Sequence, residues 1–400
     1  MRTLFIGKTW PEPDSSAAGQ RTLSLIEAAL EADWPVTFAS TAQPTEYSVD
    51  LESLGISTKA IAVNDSSFDQ WISDLNPELV VFDRFMMEEQ FGWRVSTVCP
   101  NSLQILDTSD LHCLREARRE QVLQQKSKLD LFNDLALREI ASIFRTDLSL
   151  IISEVEMKIL AEVFQVPPSQ CGYLPLMVDT PETKPLAYEK RRDFVMIGNY
   201  FHPPNWDAVA WCCQSIWPNI RRALPDAELH IYGAYEPARA RQLASTKLGI
   251  RTMGRAKSSL ETLGQYRVNL APLRFGAGQK GKVVDGFCSG TPTIATPIAA
   301  ESMNGPIDWG CSISEDPKGF AQTAVEVYSE RSLWLNVQKQ GFKIVDERLL
   351  KSRWKPELIE MIRSIDRENR HQNFIGRMLR HHNHRSTEYL SRWIELKNKQ

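Results

Sequence analysis

The sequence predicts an α/β chain of two doubly wound domains in series, each a parallel sheet with crossover helices. Three observations carry this. Short apolar, β-branched runs alternate with amphipathic stretches almost from end to end, the pattern of βαβ units. The 400 residues exceed what one hydrophobic core serves, at about 100–200 residues per domain. A proline-rich break from Leu174 to Pro185 interrupts the alternation, which restarts beyond it. The expected organisation is a first domain over 1–175, a second over 190–345 and a helical segment over 346–400, with the junction inside 174–192.

In the first half the strand candidates are Thr3–Gly7, Val36–Ala39, Lys59–Val63, Leu79–Phe82, Leu103–Leu106 and Leu148–Ile152, short and apolar as buried parallel strands are. Between them Leu23, Ile26 and Leu30 recur at helical spacing after Asp14-Ser15-Ser16. Ser153 and Glu156 have the spacing of a capping box ahead of Met157, Leu160 and Val163. The interval from Asp110 to Arg145 is rich in Arg, Glu and Gln and reads as one or two added helices. The second half gives Phe194–Ile197, Glu228–Tyr232, Ile250–Met253, Val268–Ala271, Thr293–Thr296 and Cys311–Ser314 as strands. From about Gly341 the chain is helical and polar, and Phe374, Ile375, Met378 and Leu379 share one face.

Composition excludes several classes. With 42% hydrophobic and 24% charged residues, neither disorder nor coiled coil is the main architecture. A net charge of −3 leaves no basic excess for nucleic acid. The seven cysteines show no CxxC spacing, and no apolar run approaches the roughly 18 residues of a membrane span, so free thiols in a reducing cytoplasm are expected. Residues 367–400 carry eight Lys/Arg against three Glu, with Trp393, Ile394 and Leu396 near the end. That composition suits peripheral contact with an anionic membrane, packing on the first domain being the alternative.

The most informative stretch is Pro272-Leu-Arg-Phe-Gly-Ala-Gly-Gln-Lys-Gly-Lys282, followed by a short helix closed by Gly290 and Pro292. A strand runs into a glycine-rich loop and then a helix, so free N–H groups, a positive dipole end, Lys280 and Lys282 together suit a phosphate or diphosphate. Gly276, Gly278 and Gly281 also have dinucleotide-fingerprint spacing. That motif belongs after the first strand of its domain, and here it follows the fourth, so a nicotinamide cofactor is not expected.

Several blocks now fall into one pattern: Phe194-Val-Met-Ile-Gly-Asn199 running on to Ala208, Leu224 to Gly233, Gly254, Ala271 to Lys282, and Ser289 to Thr296. In this order and near this spacing they resemble the donor domain of the retaining GT-B glycosyltransferases called group 1. The first half resembles their acceptor domain more loosely, through Trp10-Pro-Glu-Pro13, Ala18-Gly-Gln-Arg21, Leu106 to His112 and Ser153-Glu-Val-Glu156.

The resemblance implies two Rossmann-like domains facing one cleft, with the C-terminal helices returning to the first domain. It implies a nucleotide-sugar donor as substrate with no cofactor and no metal, and transfer to a glycan, lipid-linked or small-molecule acceptor in polysaccharide or surface-glycan assembly. It places Gly19, Gly198, Asn199, Gly276, Gly278, Lys280, Lys282 and Asp285 at the donor, with His112 and Lys280 in catalysis. Asp285 stands where the family has a ribose-binding glutamate, and a helix-surface role is its alternative. A second family glutamate is replaced by Ala277, which keeps open a catalytically inactive scaffold that acts as a binding subunit. Asp107 and Asp110 are spaced too far apart for an Asp-x-Asp motif and read as cleft residues or helix caps. Asn205 reads as the cap of a helix from Trp206, His202 as a loop residue beside the cleft, and His381, His382 and His384 as a solvated basic face.

Overall fold

The computed structural model of the protein describes residues 1–181 and 184–399. Of the proline-rich break, residues 182 and 183 lie outside the described residues, as does position 400 at the end of the basic tail. Among the described residues the strands form two parallel sheets. The first contains β1 (Thr3–Gly7), β2 (Val36–Ser40), β3 (Ser57–Ala60), β4 (Leu79–Asp83), β5 (Leu103–Asp107), β6 (Leu148–Ile151) and β7 (Cys171–Tyr173), in the order β3-β2-β1-β4-β5-β6-β7. The second contains β8 (Arg192–Ile197), β9 (Leu229–Tyr232), β10 (Ile250–Gly254), β11 (Tyr266–Ala271) and β12 (Thr293–Ala295), in the order β10-β9-β8-β11-β12. Both are doubly wound. Strand order reverses between β1 and β4 in one sheet and between β8 and β11 in the other. Crossovers diverge there and open a crevice at the carboxyl ends of the strands.

Strands β1, β4 and β5 are buried at every position, because helices cover both faces. Two expectations are corrected at the edges, and one strand is added. Strand β3 lies at Ser57–Ala60 instead of Lys59–Val63; as an outer strand with largely exposed residues, it gains nothing from the apolar run that follows. Strand β7, only three residues long, has too little pattern to be read. Cys311–Ser314 is not a strand: Gly310 turns the chain at φ +87, Ser312 and Ile313 face solvent, and the Ser314 hydroxyl accepts from Asp316 N. With nothing to bury, that segment does not extend the sheet.

The helices that matter to the cleft and its support are α1 (Ala17–Glu31), α2 (Phe85–Val98), α3 (His112–Leu123), α4 (Asp134–Arg145), α5 (Glu154–Glu162), α6 (Pro203–Trp211), α7 (Gly281–Cys288), α8 (Lys351–Arg363), α9 (Phe374–Leu379) and α10 (Arg385–Asn398). Ser16 caps α1 by accepting from Gly19 N at 3.1 Å. The box expected before α5 is only half formed. Ser153 Oγ accepts from Glu156 N at 3.4 Å, but the Glu156 carboxylate turns to the buried N–H groups of Leu111 and Gly278.

After the second sheet the chain returns to the first. Leu358, Ile359 and Ile362 of α8 join the cluster that holds Phe5, Leu25 and Ile105, while Lys355 reaches Glu27 and Glu31 of α1 at 2.9 and 2.6 Å. The outgoing and returning crossings lie side by side. Val178 N donates to Leu349 O at 2.8 Å and Lys351 N to Val178 O at 2.9 Å. Helices α9 and α10 dock on α4 and α2 through Gly376, His384 and Ser391, which are buried, whereas Phe374, Ile375, Met378, Tyr389, Leu390, Trp393 and Leu396 point outward. Their amphipathicity is inverted relative to a core-facing helix.

Candidate active site

The crevice of the second sheet is built where β11 runs through the glycine-rich loop into α7. Lys280 stands at the N-cap of α7, is 7% exposed and turns its ammonium back to the Gly278 carbonyl. Burial pushes its pKa down against the opposing pull of Glu301. Lys282, in the first turn, donates to Asn205 Oδ1 at 2.6 Å; burial and then Lys280 lower its pKa to about 8. Asn205 in turn donates to the Asn199 carbonyl at 2.8 Å. A Cβ on Gly198, just past β8, would come within 3.0 Å of the Lys282 ammonium. Gly198, Asn199 and Lys282 are thus gathered around Asn205, which bridges them and does not cap a helix. Helix α6 begins two residues earlier, with His202 at its N-cap. Asp285, one turn along α7, is half-buried near Ser259 and the first domain's Asp14, and burial pushes its carboxyl up to about 6.

The first domain closes directly on this loop. A Cβ on Gly281 would lie 2.6 Å from Ala17 Cβ, so the first residues of α7 and α1 abut and two positive helix ends converge beside Lys280 and Lys282. Gly278, at φ +63, approaches Asp110 and Ile152 closely enough that a Cβ would stand 2.9 and 3.1 Å from them. Its N–H donates to Glu156 Oε1 at 2.7 Å, and the same oxygen accepts from Leu111 N at 3.0 Å. Burial, then Asp110, pushes the Glu156 pKa up. Arg118 of α3 holds both carboxylate oxygens of Glu301 at 2.8 and 2.6 Å and the Gly276 carbonyl at 2.8 Å. Ala277 is buried in the first domain's hydrophobic cluster with Leu111 and Leu114.

His112 opens α3 and is buried. Its Nδ1 lies 3.1 Å from the Asp110 carbonyl and 3.2 Å from Glu139 Oε1, which anchors the ring. Asp110 is paired with Arg115; although burial opposes its charge, Arg115 and His112 hold its carboxyl well below the usual range. His202, exposed at its helix cap, faces Arg115, Asp110 and Lys282. Asp107 is turned away, paired with buried Arg21 at 2.8 Å, and Arg21 also holds the Leu174 and Pro175 carbonyls. Gly19 is not a loop glycine: it lies inside the first turn of α1, its N–H spent on Ser16 and its α-carbon against the backbone of Glu12.

Away from the cleft, Asp193, Glu228 and His230 form the one group with metal-ligand spacing among the described residues. They sit at the amino ends of β8 and β9 and are mutually paired and tied to Arg251 and Tyr266. Of the tail histidines, His381 and His382 meet edge to face and His384 reaches Glu88 Oε1 at 3.1 Å.

Residues 191–330, which span the second sheet and this loop, match the family model of glycosyl transferases group 1. The second domain is that of a group 1 glycosyl transferase. The whole chain has the GT-B fold. Staphylococcus aureus TarM, in a variant solved with fondaparinux, α-GlcNAc-glycerol and UDP, superposes with a TM-score of 0.69 at 8% identity, over 91% of this chain and 100% of its own. Anabaena HepE with UDP-glucose gives 0.69 at 10% identity, over 91% and 100%. WaaG, a lipopolysaccharide glycosyltransferase, gives 0.62 at 12%, over 90% and 100%. No curated protein sequence matches the chain.

Three residues of the transferase's cleft escape sequence reading. Glu156, Arg118 and Asn205 each act on a partner more than 75 positions away, and their local spacing, which reads Glu156 and Asn205 as helix-start residues, does not point to those partners. In the sequence, Glu156 is a helix-start residue, Arg118 one charge among many on α3.

Proposed function

We propose that the transferase moves a sugar from a uridine diphosphate donor onto a glycan, lipid-linked or small-molecule acceptor, with retention of configuration and without a metal ion. The carrying observation is the meeting of two helix N-termini at Ala17 and Gly281 with Lys280 and Lys282 alongside. Such a site stabilises the negative charge that accumulates on a departing diphosphate, which is the main electrostatic task of the reaction. UDP in the TarM and HepE complexes supports the base. In this reading Lys280 and Lys282 hold the diphosphate, Asp285 accepts from the ribose, and the Nδ1-anchored His112 offers Nε2 to the donor sugar. Gly198, Asn199, Gly276 and Gly278 shape the loop walls, and Gly19 serves by packing, keeping the first turn of α1 close to Glu12.

Incubation with a panel of nucleotide sugars, with and without EDTA, tests this. Release of UDP that is insensitive to EDTA is expected. No release and no UDP binding would leave the inactive-scaffold alternative, while loss of turnover with EDTA would overturn metal independence.

Assembly of surface glycans places the acceptor at a membrane. No helix among the described residues is long and apolar enough to cross one, but the outward apolar face of α9 and α10, set among Lys and Arg, suits adsorption to an anionic bilayer. Replacing exposed Tyr389, Trp393 and Leu396 by Ser is expected to reduce binding to phosphatidylglycerol vesicles. Equal partition of wild type and variant would refute the contact.

A further inference from the structure

The switch point of the first sheet holds cations to which the donor reading above gives no role. Strands β1 and β4 run in register from Thr3 opposite Leu79 to Ile6 opposite Phe82. The residues just past their tips, Lys8 and Arg84, therefore stand side by side, and Lys8 N donates to Asp83 Oδ2 at 3.2 Å. Lys8 is half-buried, yet its ammonium has no hydrogen bond or ion pair among the described residues. Arg84 joins β4 to α2 at φ +72 and ψ 157, a conformation nearly reserved to glycine that, in other residues, clusters at functional sites. Its Nε lies 3.0 Å from Asp83 Oδ1, and neither Nη group has a partner among the described residues. Arg115, from α3, completes the group; it is paired with Asp110 through Nη1 alone.

Three cations thus face two carboxylates, Asp83 and Asp110. Lys8 carries its charge against burial first and against Arg84 next, and its pKa is lowered accordingly. A half-buried ammonium with no acceptor, beside a guanidinium with two free donor groups, is matched by an anion and not by a neutral hydroxyl.

We infer that this crevice holds an oxyanion carried by the acceptor, a phosphate ester or a sugar carboxylate, with Lys8 and the Nη groups of Arg84 as its ligands. The inference rests on the donor reading of the second domain. The diphosphate is matched there by Lys280, Lys282 and the two helix ends, and the acceptor is what remains to be placed at the facing switch point. Arg115, Asp110 and His112 lie between the two crevices, where the attacked sugar and the attacking hydroxyl meet. A planar guanidinium suits either oxyanion bidentately.

The test titrates the full chain with glycerol 3-phosphate and methyl glucuronide, and with their neutral counterparts glycerol and methyl glucoside, with and without saturating UDP. One charged probe is expected to bind at least about tenfold more tightly than its neutral counterpart, and which one does so distinguishes phosphate from carboxylate. Lys8→Gln and Arg84→Gln are each expected to weaken it about tenfold while the Kd for UDP moves less than about twofold. Should Arg84→Gln fold poorly, Arg84→Gly accommodates the same backbone and serves in its place. Equal or absent binding of charged and neutral probes overturns the inference. So does a tenfold loss of UDP affinity in the variants, which would assign these cations to the donor. Failure of UDP to bind wild type, with the charged probe still bound, sinks the donor reading alone.

Discussion

Lys282 links charge to pH in a way that can be measured. Its pKa of about 8 lies below the ordinary lysine value because burial and Lys280 disfavour its charge. A bound diphosphate favours that charge. UDP affinity should therefore hold at lower pH, fall as the pH rises through about 8, and be accompanied above it by proton uptake, which calorimetry in buffers of different ionisation heat detects. Lys280→Ala and Lys282→Ala each remove a charged hydrogen bond worth on the order of 1.5–3 kcal/mol, about ten- to a hundredfold in kcat/KM. Asp285→Asn should weaken nucleotide binding on a similar scale without unfolding the protein. Restoring the family's carboxylate by Ala277→Glu should lower kcat/KM and not raise it, since that side chain is buried among apolar residues of the first domain. At this scale the sequence marks the loop residues as candidates, because a glycine-lysine run advertises its chemistry. It does not reveal Asn205 or Glu156, whose roles exist only once two distant segments touch.

Elements were legible where burial imposed a pattern. Thr3–Gly7 and Leu79–Asp83 are buried throughout because both faces are covered, and their apolar runs mark the strands to within one residue. Cys311–Ser314 has strand-like composition, but strand pairing is decided by whether a neighbour and a helix cover the segment, and neither does. The loop ahead of α7 is sensitive in the same geometric sense. Gly281→Ala would drive its Cβ into Ala17 at 2.6 Å, and Gly278→Ala would add a strained φ of +63 to a 2.9 Å contact with Asp110. Both should reduce closure, raising KM for the donor while Tm changes little, with the larger effect at Gly278. Small-angle scattering should show an expanded ensemble in both; unchanged dimensions and KM would refute the tight-contact account.

Across the whole molecule, α10 is held by an ion group that also sets acid stability. Glu88 is fully buried; burial opposes its charge, but Arg145 and His384 outweigh it and hold the carboxyl well below the usual range. Its stabilisation is present above the unfolded carboxylate pKa and is lost as the pH falls below it. Arg145→Ala leaves that buried charge with His384 as its one remaining partner and should cost up to about 3–5 kcal/mol, read as a lower Tm at neutral pH and a smaller penalty in acid. The two-sheet architecture was readable from alternation alone. The return of the chain to the first sheet came only with the family resemblance, because the apolar spacing of Leu358, Ile359 and Ile362 names no partner.

That return has a consequence for how the protein is made. The first sheet is finished by α8, which leaves the ribosome only after the whole second domain has been synthesised. Residues 176–350 separate the two parts, a wait of roughly 10–35 s at about 5–20 residues per second. Through that interval the face of β1, β5 and α1 that α8 covers stays open to water, so nascent chains should engage chaperones at a stage when the second domain, contiguous in sequence, is already folded.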